Sequence, residues 1–206
     1  MNKQAYIPSD LELEGLLAIT KQGGKKGTGR YALRNWTMLH LSYYAGMRAK
    51  EISSIDIGDI YDNGKVKLAC NLTKAQSKGH PRSVRLKNDK LRKALDEYYK
   101  VQNLCNEVPN RPLFTNQQGA RISPNGVVHL FDKMYESAEL KYDSKGNTKC
   151  STHSGRRYWA TKLGNTPGIT TKQMMRLGGW SQPNVAMTYV ETNDEQLDEL
   201  IDRAFK

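Results

Sequence analysis

His153 and Arg156 stand three residues apart in THSGRRYWATKL, and Tyr189 follows Trp180 by nine in RLGGWSQPNVAMTYVET. A second arginine, Arg48, lies 108 positions before Arg156, with Glu51 three residues after it. These residue types suit displacement at a centre that carries negative charge. A guanidinium is planar, stays charged and holds two oxygens in a fixed fork, so a pair of them can neutralise charge that develops during attack. A phenol titrates at a pKa of about 10, so a tyrosine nucleophile needs cationic neighbours or a base. Imidazole can donate to an oxygen or move a proton near neutral pH. Indole keeps one N–H donor and accepts no proton, so Trp180 would bind an oxygen or pack under Tyr189, without acid–base work. Glu51, on the same helical face as Arg48, would orient that arginine or form an ordinary i,i+3 pair. Taken singly, each residue has a plain explanation. A lone arginine makes surface salt bridges, a histidine caps or packs, and most of the eleven tyrosines must be mundane. No metal site is expected, because Arg156 at i+3 from His153 repels a cation and no second ligand sits at a suitable spacing.

Only folding can bring Arg48 and Arg156 together, so the elements between them matter. SDLELEGLLAI reads as a helix over 9–19, with Ser9 and Glu12 as a capping box. A glycine- and lysine-rich loop follows at 20–30; it lacks the preceding strand and the GK[ST] ending of a phosphate-cradling loop. Apolar spacing predicts a helix over 31–44 that Gly46 breaks, and a short one over 48–55. GKVKLACNLT alternates like a strand over 64–73, with Val66, Leu68 and Cys70 on one face, and PRSVRLK at 81–87 reads as its antiparallel partner. Further helices are expected over 88–104, 123–140, 153–165, 170–178, 183–190 and 194–205. The fold class is mainly α with a small antiparallel β-sheet near residues 60–87, an α+β chain in one domain.

The chain has 206 residues and a formal net charge of +11, a balance that favours polyanionic partners. Mean hydropathy is −0.73, no apolar run nears membrane-spanning length, and the N-terminus lacks an apolar signal core, so a cytoplasmic, nucleoid-associated location is expected. Three scattered cysteines form neither a disulfide framework nor a zinc knuckle.

The order of these residues resembles the catalytic domain of the tyrosine recombinase (phage integrase) family. The resemblance runs from about Tyr6 to Thr192. Its first box is YYAGMRAKEISSIDIGDI, with Arg48 and Glu51; its second is His153, Arg156, Trp180 and Tyr189. Between them the family places a lysine in a β-hairpin, where AQSKGHPRSVRL offers Lys78, with Lys74 available in another register. The resemblance implies a site-specific DNA recombinase or integrase. Tyr189 would displace a 5′-hydroxyl and form a 3′-phosphotyrosyl bond, Arg48 and Arg156 would hold the phosphate, and Lys78 would protonate the departing oxygen. A strand's 5′-hydroxyl then releases the enzyme, so no ATP, metal or other cofactor is expected. Two other readings stay open: type IB topoisomerase-like relaxation, and an inactive DNA-binding accessory protein. The expected partner is double-stranded DNA, bound as a tetramer by a chain that is monomeric when free, with DNA-bending accessory proteins and no membrane. Lys25, Lys26, Arg30, Lys74, His80, Arg121 and Lys145 are candidate DNA contacts, as are Lys21, Lys87, Lys141 and Lys149. The expected organisation is a single catalytic domain over 1–206, with its core at 6–192 and an amphipathic helix at 193–206. The family's N-terminal DNA-clamp domain is absent from this expectation.

Overall fold

A computed structural model describes residues 5–23, 31–77 and 81–189. Helix α1 (Asp10–Lys21) starts where the capping box predicts: Ser9 Oγ accepts from Glu12 N, and Glu12 reaches back to Ser9 N. Its buried face is Leu13, Leu16, Leu17 and Thr20. Helix α2 (Ala32–Ala45) packs against α1, against α5 (Asp89–Val101), against α6 (Pro124–Ser137) and against α7 (Thr152–Gly164). Surrounded in this way, it buries Thr37, His40 and Ser42 as well as Met38, Leu39, Leu41 and Tyr43. Each large apolar side chain so enclosed stabilises the fold by roughly 1.5–3 kcal/mol.

Two features of this packing set the distance between the sequence's distant arginines. Helix α2 ends at Gly46, which adopts the left-handed conformation (φ 62) that favours glycine. Gly155 lets α7 press onto α2, since a Cβ there would lie 2.3 Å from Ser42 Oγ. The next residue, Arg156, is thereby delivered to the Gly46 turn.

After that turn come α3 (Ala49–Ser54) and a one-turn α4 (Ile57–Ile60). The predicted single sheet is two separate antiparallel pairs. β1 (Tyr61–Asp62) pairs with β2 (Lys65–Val66), and β3 (Ala69–Leu72) pairs with β4 (Arg82–Arg85). The first pair closes through Asn63 and Gly64, both with positive φ (47 and 75), as an Asn-Gly hairpin turn requires. The run 64–73 is therefore not one strand. It bends between β2 and β3, so Val66 and Cys70 face inward while Leu68 turns out, 62% exposed. In the second pair Cys70 opposes Val84 and Leu72 opposes Arg82, which puts Val84 and Arg82 on the buried face.

Helix α5 is capped by Asn88, whose side chain accepts from Leu91 N, and α6 by Ser123 with Pro124 beginning the helix. Helix α6 stops three residues short of expectation because Glu139 turns left-handed (φ 59) and Leu140 N bonds back to Tyr135 O. Helix α8 (Thr171–Gly178) has a Thr170–Gln173 capping box and ends on left-handed Gly179. Helix α9 is only Pro183–Met187, shorter than predicted, so Tyr189 sits in the turn after it. Among the described residues, no helix is long and apolar enough to cross a membrane. The helix expected at 194–205 lies outside the described residues.

Candidate active site

Arg48 is the N-cap residue of α3, immediately after the Gly46–Met47 turn. Glu51 holds it twice: one carboxylate oxygen accepts Arg48 Nη1 at 3.0 Å and the other accepts Arg48's main-chain N–H at 2.7 Å. The i,i+3 pair foreseen for Glu51 is present, and the same carboxylate also accepts from the main chain of Arg48. Burial pushes the Glu51 carboxyl up. Hydrogen bonds from Arg82, its charge, and the bonds and charge of Arg48 outweigh this and hold it below the usual carboxylate range.

Arg156 is 4% exposed. Its two terminal nitrogens donate to Gly46 O at 2.8 Å and to Gly178 O at 2.6 Å, so the guanidinium bridges the end of α2 and the end of α8. It lies 5.0 Å from the centre of the Trp180 ring. Burial, then the neighbouring positive charges of Arg48 and Arg82, push it down to about 9, so it remains a cation at neutral pH. Trp180 follows the Gly179 turn and stacks on Tyr189, with ring centres 5.2 Å apart and planes 20° apart. His153 is exposed in the first turn of α7, one helical turn before Arg156.

Arg48, His153, Arg156, Trp180 and Tyr189 line one cavity of about 330 Å³, together with Ala5, Arg157 and Thr188. Residues more than 100 positions apart thus meet around one space wide enough for a phosphate. A larger cavity, about 870 Å³, opens between β4 and α8, but Arg48, His153, Arg156 and Tyr189 do not line it. The smaller cavity is where cations and a phenol converge, which is what the chemistry needs.

The remaining predicted residues fall elsewhere. Lys78, His80, Lys25, Lys26 and Arg30 lie outside the described residues. Lys74 is exposed on the turn after β3, and Lys145 is exposed in the 141–149 loop. Arg121 is exposed, and its guanidinium also donates to the carbonyls of Ser53 and Ile55 and pairs with Asp56. Lys141 pairs with Asp132, Lys149 with Glu12 and Lys21 with Glu97, so these three also carry structural duties. Among the described residues, no group of three or more His, Cys, Asp or Glu side chains could hold a metal ion.

Two cations went unnoticed in the sequence. Arg157 lines the cavity and donates to Ala5 O at 2.7 Å, which draws the N-terminal segment to the rim. Arg82 is buried on β4 and forks onto Glu51, with Nε to Oε1 at 2.9 Å and Nη2 to Oε2 at 2.6 Å. The signal for Arg82 was present: in PRSVRL it shares the inward face with Val84, and an inward arginine demands an acidic partner. Nothing in the sequence set Arg157 apart from its neighbour.

A model of the phage integrase family matches residues 10–196. The tyrosine recombinase XerC of Caldanaerobacter subterraneus subsp. tengcongensis is 25% identical over 175 residues, covering 85% of this chain and 46% of the relative. That of Corynebacterium glutamicum is 28% identical over 173 residues, covering 84% and 51%. The chain thus spans about half the length of the curated relatives it matches. Among solved structures, XerA recombinase aligns with a TM-score of 0.70 at 19% identity, over 99% of this chain and 66% of that one. XerH recombinase, in a post-cleavage complex with its palindromic difH substrate, aligns at 0.69 and 21%, over 97% and 53%. At these identities the structural likeness establishes the fold.

Proposed function

The chain belongs to the phage integrase family, and from that premise we propose that it is a site-specific recombinase that breaks and rejoins DNA through Tyr189. The observation that supports this reading is the shared cavity, where Arg48, Arg156 and Tyr189 meet. Its charge is unbalanced. The guanidiniums of Arg48, Arg82 and Arg156 act on one another with Glu51 as their carboxylate, so an anion in the cavity offsets the remaining repulsion.

In the proposed reaction the Tyr189 hydroxyl gives up its proton to solvent as its oxygen attacks phosphorus, the bond to the 5′-oxygen breaks, and that oxygen takes a proton from Lys78 or, in the other register, Lys74. The product is a 3′-phosphotyrosyl bond and a free 5′-hydroxyl. A 5′-hydroxyl from a partner strand then attacks the same phosphorus and returns its proton to that lysine, while Tyr189 leaves and regains a proton from solvent. One phosphoester replaces another in each half, so the bonds balance without ATP. Arg48 and Arg156 hold the non-bridging oxygens and neutralise charge as it develops; an oriented donor of this kind contributes roughly 10²–10³-fold in rate. His153 donates to one of those oxygens. Trp180 sets the plane of the Tyr189 ring. Residues 6–192 carry this catalytic unit. The partner is double-stranded DNA, with four copies assembled for strand exchange, a monomer when free, and DNA-bending proteins as accessories.

The test uses a pool of duplexes randomised in sequence, each carrying a sulfur in place of one bridging 5′-oxygen, so that the leaving group needs no proton. The wild-type chain should form an adduct that survives denaturing electrophoresis, and Tyr189→Phe should form none. DNA binding without any adduct across the pool would sink the reading in favour of an accessory role. Junctions between two duplexes distinguish exchange from resealing of the same strand.

A further inference from the structure

Arg82 is absent from the lining of the 330 Å³ cavity and its side chain is 2% exposed. Enclosing a guanidinium to this degree is unfavourable unless its donors are satisfied, and its contacts explain why it is there. Besides the fork onto Glu51, Nη2 donates to Gly46 O and Nη1 to Leu177 O, each at 3.1 Å. Each partner leads to a residue of the cavity. Glu51 carries the contact to Arg48, which it holds by side chain and main chain. The Gly46 carbonyl that accepts from Arg82 also accepts from Arg156. Leu177 precedes Gly178, whose carbonyl takes the other nitrogen of Arg156. One buried side chain on β4 is therefore joined to the Gly46–α3 stretch that carries Arg48 and to the end of α8 that leads to Trp180, the two places whose carbonyls also hold Arg156.

We propose that Arg82 is a positioning residue for the reaction: it sets the separation and aim of Arg48 and Arg156 and keeps Arg48 available to the phosphate. The second half follows from charge. Glu51 carries one negative charge, and with Arg82 in its fork that charge is already matched. Without Arg82, Arg48 would be the principal cation on Glu51 and would be held back from an incoming anion. A lysine cannot substitute, because its ammonium is a point donor and cannot fork onto a carboxylate while spanning two carbonyls from different segments. This inference rests on the reading above in taking Arg48 and Arg156 as the phosphate-holding pair.

The experiment compares wild type with Arg82→Lys, at a temperature where melting curves show both folded, using DNA recovered from the randomised pool. Arg82→Lys should form the adduct roughly ten- to a hundredfold more slowly, as expected for a displaced donor, with DNA affinity little changed. The double variant Glu51→Gln/Arg82→Lys should be no slower than the slower single variant, because the two residues act as one unit. A folded Arg82→Lys with wild-type adduct rate overturns the proposal. So does a double variant whose loss is the product of the single losses. If the lysine variant does not fold, Arg82→Gln, which keeps a donor for Gly46 O, takes its place; unfolding of both would make Arg82 a stability residue and end the positioning role. If wild type forms no adduct at all, the recombinase reading fails on its own. Calorimetric titration with inorganic phosphate then decides for Arg82: tenfold weaker binding in the lysine variant supports it, and equal binding overturns it.

Discussion

The positive charge beside the cavity and the positive charge on the outlying loops are held in opposite ways. Arg156 gives both terminal nitrogens to main-chain carbonyls, and Arg82 is enclosed by Glu51 and two more carbonyls. Lys74 and Lys145 are exposed on turns. Fixing a long cationic side chain sacrifices about 2 kcal/mol of rotamer entropy, a loss that the carbonyl and carboxylate partners of Arg156 and Arg82 offset. In the proposed reaction the caged cations would orient a phosphate, whereas the loose ones would attract a backbone of any sequence. Lys149 stands between: bonded to Glu12 and raised above its ordinary pKa by that bond, it pins the N-terminal segment.

The largest expected effect is at the cage. Arg156→Ala should slow adduct formation by roughly 10²–10³-fold in single-turnover assays, with a far smaller change in DNA affinity. A loss confined to affinity would erase the distinction between the two kinds of cation. Next comes the turn that carries the cage. Gly46→Ala meets both a left-handed backbone and the Trp159 ring, 2.4 Å from the new Cβ. It should destabilise by at least about 1–3 kcal/mol, measured by thermal melting. Gly146→Ala, also left-handed but with open space around it, should fall at or below the low end of that range. Equal losses at the two sites would show that the Gly46 turn is not clamped.

Acid should report on the N-terminal segment. Burial raises the Glu12 carboxyl, but Lys149, Ser9 N–H and Tyr6 hydroxyl more than offset this and hold it at about 2. The unfolded chain protonates this group near 4.5. Between those values the unfolded state binds the extra proton, so stability falls as pH drops through this window. Glu12→Gln should flatten that part of the melting-temperature profile, and an unchanged profile would refute the assignment. The smallest effects belong to the loose cations. Lys74→Ala and Lys145→Ala should each leave stability within about 0.5 kcal/mol and lower the salt slope of DNA binding by about one.

Much of this was legible in the sequence because it was local. The Ser9 and Asn88 caps, the break at Gly46 and the Arg48–Glu51 spacing depend on neighbours within one helical turn. Tertiary contacts were harder to read. The alternation of 64–73 hid a change of hairpin at Leu68, although Asn63-Gly64 marked a turn just before it. Arg121 reads as a surface cation and is exposed, but its contacts with Asp56 and with the carbonyls of Ser53 and Ile55 at the end of α3 span more than 60 residues of sequence. For Arg82 the inward place beside Val84 was legible, but its partner Glu51 is 31 residues away and the sequence does not say which carboxylate it meets.

The oxygens that fix Arg156 belong to Gly46 and Gly178. No codon encodes a carbonyl, so no single base change can delete either anchor. Genetic drift can reach them only by bending the turns, and a side chain at either glycine would collide with an indole, Trp159 in one case and Trp180 in the other. The main-chain part of that support is thus sheltered from most random substitution, and its own weak points are two residues that carry no functional group at all.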